Sequence, residues 1–287
     1  MTVALVTDST AYLPADVVAR KRIRVVPLHV RVGGTEFDEG IDITTTALAE
    51  ALRAFTPVST SRPSPMAFLD AYRSAAAQGA TGVVSVHISS QMSGTAESAA
   101  LAAVDSPIPV RVVDSRTMGM AMGYAVLSAA AAAGEGVGLD DVAAVALRRA
   151  ESATVLFYVD TLEYLRRGGR IGAASRLLGS AFAIKPLLSL QDGRIQPVEK
   201  VRTAARALSR LEEMAAASAE RAEAVDIAVH HLDASGRATE LAERLQAKVL
   251  NAGEVLLVEL GAVVGAHVGP GTIAVAVSPR RGDDGAP

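Results

Sequence analysis

Short apolar runs and longer amphipathic stretches alternate along the first half of this chain. Val3-Ala-Leu-Val6 has the pattern of a strand, and Pro14 opens a helix, where a first-turn proline gives up no hydrogen bond. A second strand is predicted over Ile23–Val32 and a helix over Thr46–Ala54. Helix Pro65–Gln78, strand Gly82–Ile88, helix Thr95–Val104, strand Val110–Val113 and helix Gly119–Ala133 continue the rhythm. Strands apolar on both faces, separated by helices, imply a parallel sheet covered on both sides.

After a further helix, Leu139–Ala150, the rhythm changes. Strand Thr154–Val159 leads into a charged-to-small segment over 162–183, and two short strands flank Asp192-Gly193, a dipeptide suited to a tight hairpin. Helix Thr203–Ala222, strand Ile227–His230, helix Gly236–Val249, strand Val255–Glu259 and strand Ile273–Val277 follow. The expected fold class is therefore two-domain α/β. A parallel α/β N-terminal domain over 1–151 is followed by a mixed-sheet α/β C-terminal domain over 152–281, with a ligand cleft between them. The polar tail 282–287 is expected to be disordered. Neither a fixed-period repeat nor a low-complexity linker interrupts the pattern.

Composition narrows the function classes. The chain has 287 residues, half of them hydrophobic, which is more than one typical domain. The alanine-rich stretch from Met118 to Gly134 falls short of a bilayer-spanning helix and reads as a buried one. MTVALVTDST has no basic leader, so a cytoplasmic location is expected. With no cysteine, disulfides and thiolate chemistry drop out, and the five histidines form neither an HxxxH nor an HExxH pair, so no metal is expected. A net charge of −3 and only 3% aromatic residues argue against nucleic acid as a partner.

The candidate chemistry gathers at loop ends. His87-Ile-Ser-Ser-Gln-Met-Ser-Gly-Thr95 crowds hydroxyls into a strand-to-helix junction, at the carboxyl edge where open α/β sheets bind ligands. The first N–H groups of the following helix have no intrahelical partners and lie at its positive end, which favours an anion there. Gly94 permits close backbone approach, and Ser93 and Thr95 add neutral donors. The plainer assignment makes Ser93 or Thr95 an N-cap. In Ser59-Thr-Ser-Arg-Pro-Ser-Pro65, Ser64 suffices as the cap, which leaves Thr60 and Ser61 without a structural duty. Asp8 is expected to anchor loop N–H groups. In Glu163-Tyr-Leu-Arg-Arg-Gly-Gly-Arg-Ile-Gly172, Arg170 on the glycine turn suits an anion clamp, whereas Arg166 and Arg167 fit a solvated face. His267 stands among four glycines between Glu259 and Thr272, which suggests close approach to something. No phosphate-cradling GxxxxGK[ST] occurs, and no GxGxxG with a downstream acid follows a strand.

Taken in order, Thr7-Asp-Ser-Thr10, Thr60-Ser-Arg-Pro63, Ile88-Ser-Ser-Gln-Met-Ser-Gly-Thr95, Val113-Asp-Ser115, Leu162-Glu-Tyr-Leu-Arg-Arg-Gly-Gly-Arg-Ile171, Ile184-Lys-Pro186, Lys200-Val-Arg-Thr203 and Gly265-Ala-His-Val-Gly-Pro-Gly271 resemble the DegV family along nearly the whole chain. The resemblance implies a protein that binds a long-chain fatty acid between two α/β domains, with no other cofactor. It further implies a carrier subunit whose partner, the catalytic subunit of a fatty acid kinase, makes the acyl phosphate from ATP for phospholipid synthesis. Carried over by position, it places the carboxylate at Ser93 and Gly94, with a hydroxyl from Thr60 or Ser61 and with His267 nearby. Arg170 falls in the vicinity of the head group and Arg202 on the face that docks the kinase. The sequence departs from the pattern at Arg62, where glutamine is usual, and at Gln91-Met92, where glycine and leucine are common.

Burying roughly fourteen methylenes gives a gross hydrophobic term of about 11 kcal/mol, so retention is expected from the tail rather than the head. The rival reading is a serine acyl hydrolase with Ser93 as nucleophile, His267 as base and Asp8 or Asp114 as orienter. Against it, Ser93 does not stand in a GxSxG elbow.

Overall fold

The computed structural model describes residues 2–177 and 184–280. The 282–287 tail and the end of the 162–183 segment lie outside the described residues. Two compact units emerge, one formed by the chain up to Leu28 with Ser61–Ser152, the other by His29–Thr60 with Ala153–Arg280.

The first unit carries a four-stranded parallel sheet in the order β2-β1-β6-β7, made of β1 (Val3–Asp8), β2 (Arg24–Val26), β6 (Gly82–His87) and β7 (Val110–Asp114). Every residue of β6 is buried, as a central strand covered on both faces requires. On one face α3 (Pro65–Ala77) and α4 (Thr95–Val104) contribute Phe68, Tyr72, Ala99 and Ala102 to a core that includes Val6 and Val83. On the other lie α5 (Met120–Gly134) and α6 (Leu139–Ser152). Met120 through Ala129 are buried without interruption, so the apolar stretch flagged in the sequence is an interior helix. Helix α1 (Ala15–Lys21) starts directly after Pro14.

The second unit contains a six-stranded mixed sheet, β10-β9-β8-β13-β11-β12, built from β8 (Thr154–Tyr158), β9 (Lys185–Gln191), β10 (Arg194–Val201), β11 (Ala224–His231), β12 (Ala252–Glu259) and β13 (Ile273–Arg280). Only β11 and β12 run parallel. Asp192 and Gly193 both have positive φ, at 48° and 77°, and close the two-residue hairpin between β9 and β10. Helices α8 (Ala204–Ala219), capped by Thr203, and α9 (Ser235–Lys248) cover one face with Leu208, Leu211, Leu241 and Leu245.

Residues 29–60 depart from a first domain running unbroken over 1–151. The single strand expected over Ile23–Val32 is broken at Pro27-Leu28, so β2 stays in the first sheet. Beyond the break, β3 (His29–Val32) joins β4 (Thr35–Asp38) and β5 (Val58–Ser61) in a separate three-stranded sheet. Two contacts explain why this excursion groups with the second unit. The buried Glu39 carboxylate accepts the Val263 N–H at 2.8 Å, capping α10 (Ala262–Val268). Leu48, on α2 (Thr45–Arg53), occupies the space beside Gly265, where a methyl group would come within 2.7 Å of its Cδ2.

In α5, a methyl group added at Gly123 would lie 2.8 Å from the Ala11 carbonyl oxygen and 2.9 Å from the Met120 sulfur. Alanine favours a helix interior over glycine by about 1 kcal/mol, but forcing backbone apart in a packed core costs about 1–3 kcal/mol. Gly123→Ala is therefore expected to destabilise the first unit in urea unfolding. A gain in stability would contradict this account of the close approach.

Candidate functional site

At the carboxyl edge of the parallel sheet, β1, β6 and β7 end on Asp8, His87 and Asp114, with His87 and Asp114 directly paired in register. Asp8 is fully buried. One of its oxygens accepts from the Thr10 N–H at 3.0 Å and the Thr10 hydroxyl at 2.5 Å. The other accepts from the Ile88 N–H at 3.0 Å and lies 3.1 Å from His87 Nδ1. Asp8 thus anchors the loops after β1 and β6. Asp114 does the same between β6 and β7, accepting from the N–H groups of Ser90 and Arg116 and from the Ser90 hydroxyl.

Behind Asp8 runs a buried chain that the sequence reading missed. Ser85 Oγ lies 2.7 Å from His87 Nε2, and the Tyr72 hydroxyl donates to Ser85 Oγ at 3.0 Å. Burial raises the Tyr72 hydroxyl pKa to about 12, so it stays a donor. The available signal was Ser85 and His87 spaced by two in an otherwise apolar strand, which puts both on one face.

Helix α4 opens at Gly94, and no side chain of that residue caps it. The N-cap assignment for Ser93 or Thr95 is corrected, because their hydroxyls bond each other at 2.8 Å. Ser93 and Gly94 are half-buried and Thr95 is buried. Ser64, by contrast, caps α3 through the Ala67 N–H. Arg62 reaches over Gly94, donating to its carbonyl at 3.2 Å and to Glu97 at 2.9 Å. A methyl group on Gly94 would meet its Nη1 at 1.9 Å, so the position where this sequence departs from the family pattern lies against a candidate site residue.

In the second unit, β5 alternates. Thr60 is half-buried and Ser61 exposed, and Thr60 Oγ1 lies 2.9 Å from His267 Nε2. His267 sits in the last turn of α10, an element the glycine-rich sequence concealed. The glycines around it serve close approach within the unit. Gly265 faces Leu48 and Leu232, Gly269 faces Tyr164, and Gly271 faces Asp160. Burial, with a smaller push from the positive Arg170, lowers the His267 pKa from 6.5 to about 4, so the ring is neutral at pH 7.

Arg170 is exposed and donates to the Gly168 carbonyl at 2.7 Å. Arg166 and Arg167 share Glu163, whose pKa they hold down to about 2, and both are exposed on α7 (Glu163–Arg167). Arg202 is exposed immediately before the α8 cap. His267 Nδ1 is buried with no hydrogen-bond partner among the described residues, so a triad built on His267 has no orienting carboxylate there. Among the described residues, no group of three His, Asp or Glu could hold a metal ion, and no helix is long and apolar enough to cross a membrane.

These features define a class of protein: a two-domain α/β fold with hydroxyls and a helix start at the sheet edge of one unit and a neutral imidazole beside Thr60 in the other. The chain belongs to the DegV family, described as uncharacterised proteins, whose sequence profile matches residues 2–280. It is 52% identical over 278 residues to a DegV domain-containing protein of Streptomyces coelicolor, covering 97% of this chain and 99% of the relative. A DegV family protein from Thermus thermophilus, described for its fatty acid binding, superposes with a TM-score of 0.92 at 36% identity, over 98% of this chain and all of that one. DegV of Bacillus subtilis, described as a fatty acid binding protein, gives a TM-score of 0.89 at 30% identity with the same coverage.

The lowered pKa values of His267 and of His230, also about 4 through burial, set a pH dependence. A histidine whose folded pKa lies below its unfolded value contributes stability that is complete above pH 6.5 and is lost as pH falls toward 4. Ring resonances of both histidines are expected to remain those of neutral imidazole at pH 5, while chemical stability declines between pH 6.5 and 4. Protonation of His267 near pH 6.5 would contradict the described environment.

Proposed function

We propose that this chain binds a long-chain fatty acid between its two domains and presents the carboxylate to a separate, ATP-dependent kinase subunit that forms the acyl phosphate. The supporting observation is the character of the candidate head-group residues. Ser93, Gly94 and Thr60 offer hydroxyl and backbone donors, and His267 is neutral. Such donors hold an anion without the tight grip of a buried bidentate arginine, which leaves an oxygen able to attack a phosphoryl group. The fatty acid binding described for the Thermus and Bacillus relatives supports the choice of ligand.

Within this reading Thr60 is the ligand hydroxyl and Ser61, exposed on the other side of β5, is not. Arg170 belongs to the surroundings of the head group. Arg202 belongs to the docking face, where a positive side chain steers an acidic partner. The protein works in the cytoplasm, where ATP and the kinase subunit are available, and it is a carrier rather than an enzyme.

Denaturing mass spectrometry of the purified protein is expected to release about one long-chain fatty acid per chain. In an acyl phosphate assay with the kinase subunit, Ser93→Ala should retain the lipid while flux falls, since one neutral hydrogen bond is worth about 0.5–1.5 kcal/mol against the larger apolar term. Arg202→Ala should weaken association with the kinase subunit and leave lipid content intact. Absence of acyl species together with failure to bind added fatty acid would refute the reading. Full flux in both variants would move the carboxylate and the docking face elsewhere.

A further inference from the structure

His267 and Thr60 are 2.9 Å apart, and that distance alone does not say which of them donates. The other side of the ring does. His267 Nδ1 is buried and has no hydrogen-bond partner among the described residues. The space beside it belongs to Gly168, where a methyl group would lie 2.0 Å from Nδ1 and 2.8 Å from Cε1. The Gly168 N–H is already given to the Tyr164 carbonyl at 2.9 Å, and its carbonyl accepts from Arg170 Nη1 at 2.7 Å.

A proton on Nδ1 would therefore be a buried donor without an acceptor, the costlier kind of orphan. It would also turn the positive end of the imidazole dipole toward Gly168, whose carbonyl holds the Arg170 guanidinium at 2.7 Å. A lone pair on Nδ1 avoids both penalties, because an unpaired acceptor is better tolerated and the negative end of the ring then faces the guanidinium. A neutral imidazole carries one N–H, so that proton belongs on Nε2.

We propose that Gly168 and Arg170 are positioning residues that hold His267 in its Nε2–H tautomer, so that Thr60 accepts from the ring and keeps its own proton for an acceptor on the ligand. The lowered pKa of His267 agrees with a neutral ring but does not choose the tautomer; the packing and the charge do. Arg170 then acts through the imidazole instead of gripping the ligand. The tautomer assignment stands on the second unit alone. Its consequence for ligands rests on the fatty-acid reading above: the Thr60 proton, released from the ring, favours head groups with an acceptor, such as a carboxylate, over a donor-only ammonium.

The test is long-range proton–nitrogen NMR of the full chain with labelled histidine at pH 7, alongside binding of palmitate and of hexadecylamine, whose tail has the same length. The parent is expected to show His267 protonated at Nε2 and bare at Nδ1, and to bind palmitate more tightly than the amine. Gly168→Ala should displace the ring, mix the tautomers and weaken palmitate about tenfold, the size of one hydrogen bond to a charged group. If that variant does not fold, Arg170→Gln keeps the side chain's reach without its charge and should raise the Nδ1–H population. An Nδ1–H tautomer in the parent overturns the proposal, as does an unchanged tautomer in both variants. The Nε2–H tautomer in a protein that binds no palmitate supports the tautomer assignment while refuting the fatty-acid reading, so the two failures are distinguishable.

Discussion

Asp8 is a carboxylate with no access to solvent, and the edge of the first sheet is organised around keeping it satisfied. A buried polar group is tolerable only when hydrogen-bonded, and Asp8 accepts from the Thr10 N–H and hydroxyl and the Ile88 N–H and lies against the His87 ring. The loops after β1 and β6 are fixed as a result. Asp114 repeats the device for the loop after β7. With the loop backbones held by two carboxylates, Ser93 and Thr95 are released from capping duty and need only each other. This division of labour between buried anchors and released hydroxyls is what the proposed head-group site asks of a rigid sheet edge.

The second unit solves a related problem with different parts. Helix α10 is only seven residues long and would be marginal on its own, but Glu39 caps its start and Leu48 packs against Gly265. Both residues come from the His29–Thr60 excursion, which also carries Thr60 on β5. The insertion that stabilises the helix thus supplies the hydrogen-bond partner of the histidine at its end. Burial keeps that histidine neutral, and Gly168 leaves just enough room for its ring.

Much of this was legible in the sequence, and the parts that were not share a cause. The alternation of strands and helices, the Asp192-Gly193 hairpin, the Ser64 cap and the change from a parallel to a mixed sheet all follow from local periodicity and turn chemistry. The excursion of 29–60 does not: Pro27 breaks Ile23–Val32, but the grouping of the chain beyond it with the second unit depends on the long-range partners of Glu39 and Leu48. The glycines near His267 suggested close approach, and Gly265, Gly269 and Gly271 do pack closely, against Leu48, Tyr164 and Asp160, but the same glycines hid the helical pattern of α10. The motif resemblance drew attention to Ser93, Thr60 and His267, but the buried Tyr72–Ser85–His87–Asp8 chain became visible only once α3, β1 and β6 were side by side.

The central claim is that hydroxyl and backbone donors, without a buried cation, hold an ionised carboxylate. Its most direct test is carbon NMR of a carboxyl-labelled palmitate bound to the protein and titrated with acid. Donors that bond the charged form should keep the bound head group ionised to a lower pH than the same acid dispersed in detergent micelles. A head group that is protonated at neutral pH when bound would mean that desolvation outweighs these donors, and would contradict the account.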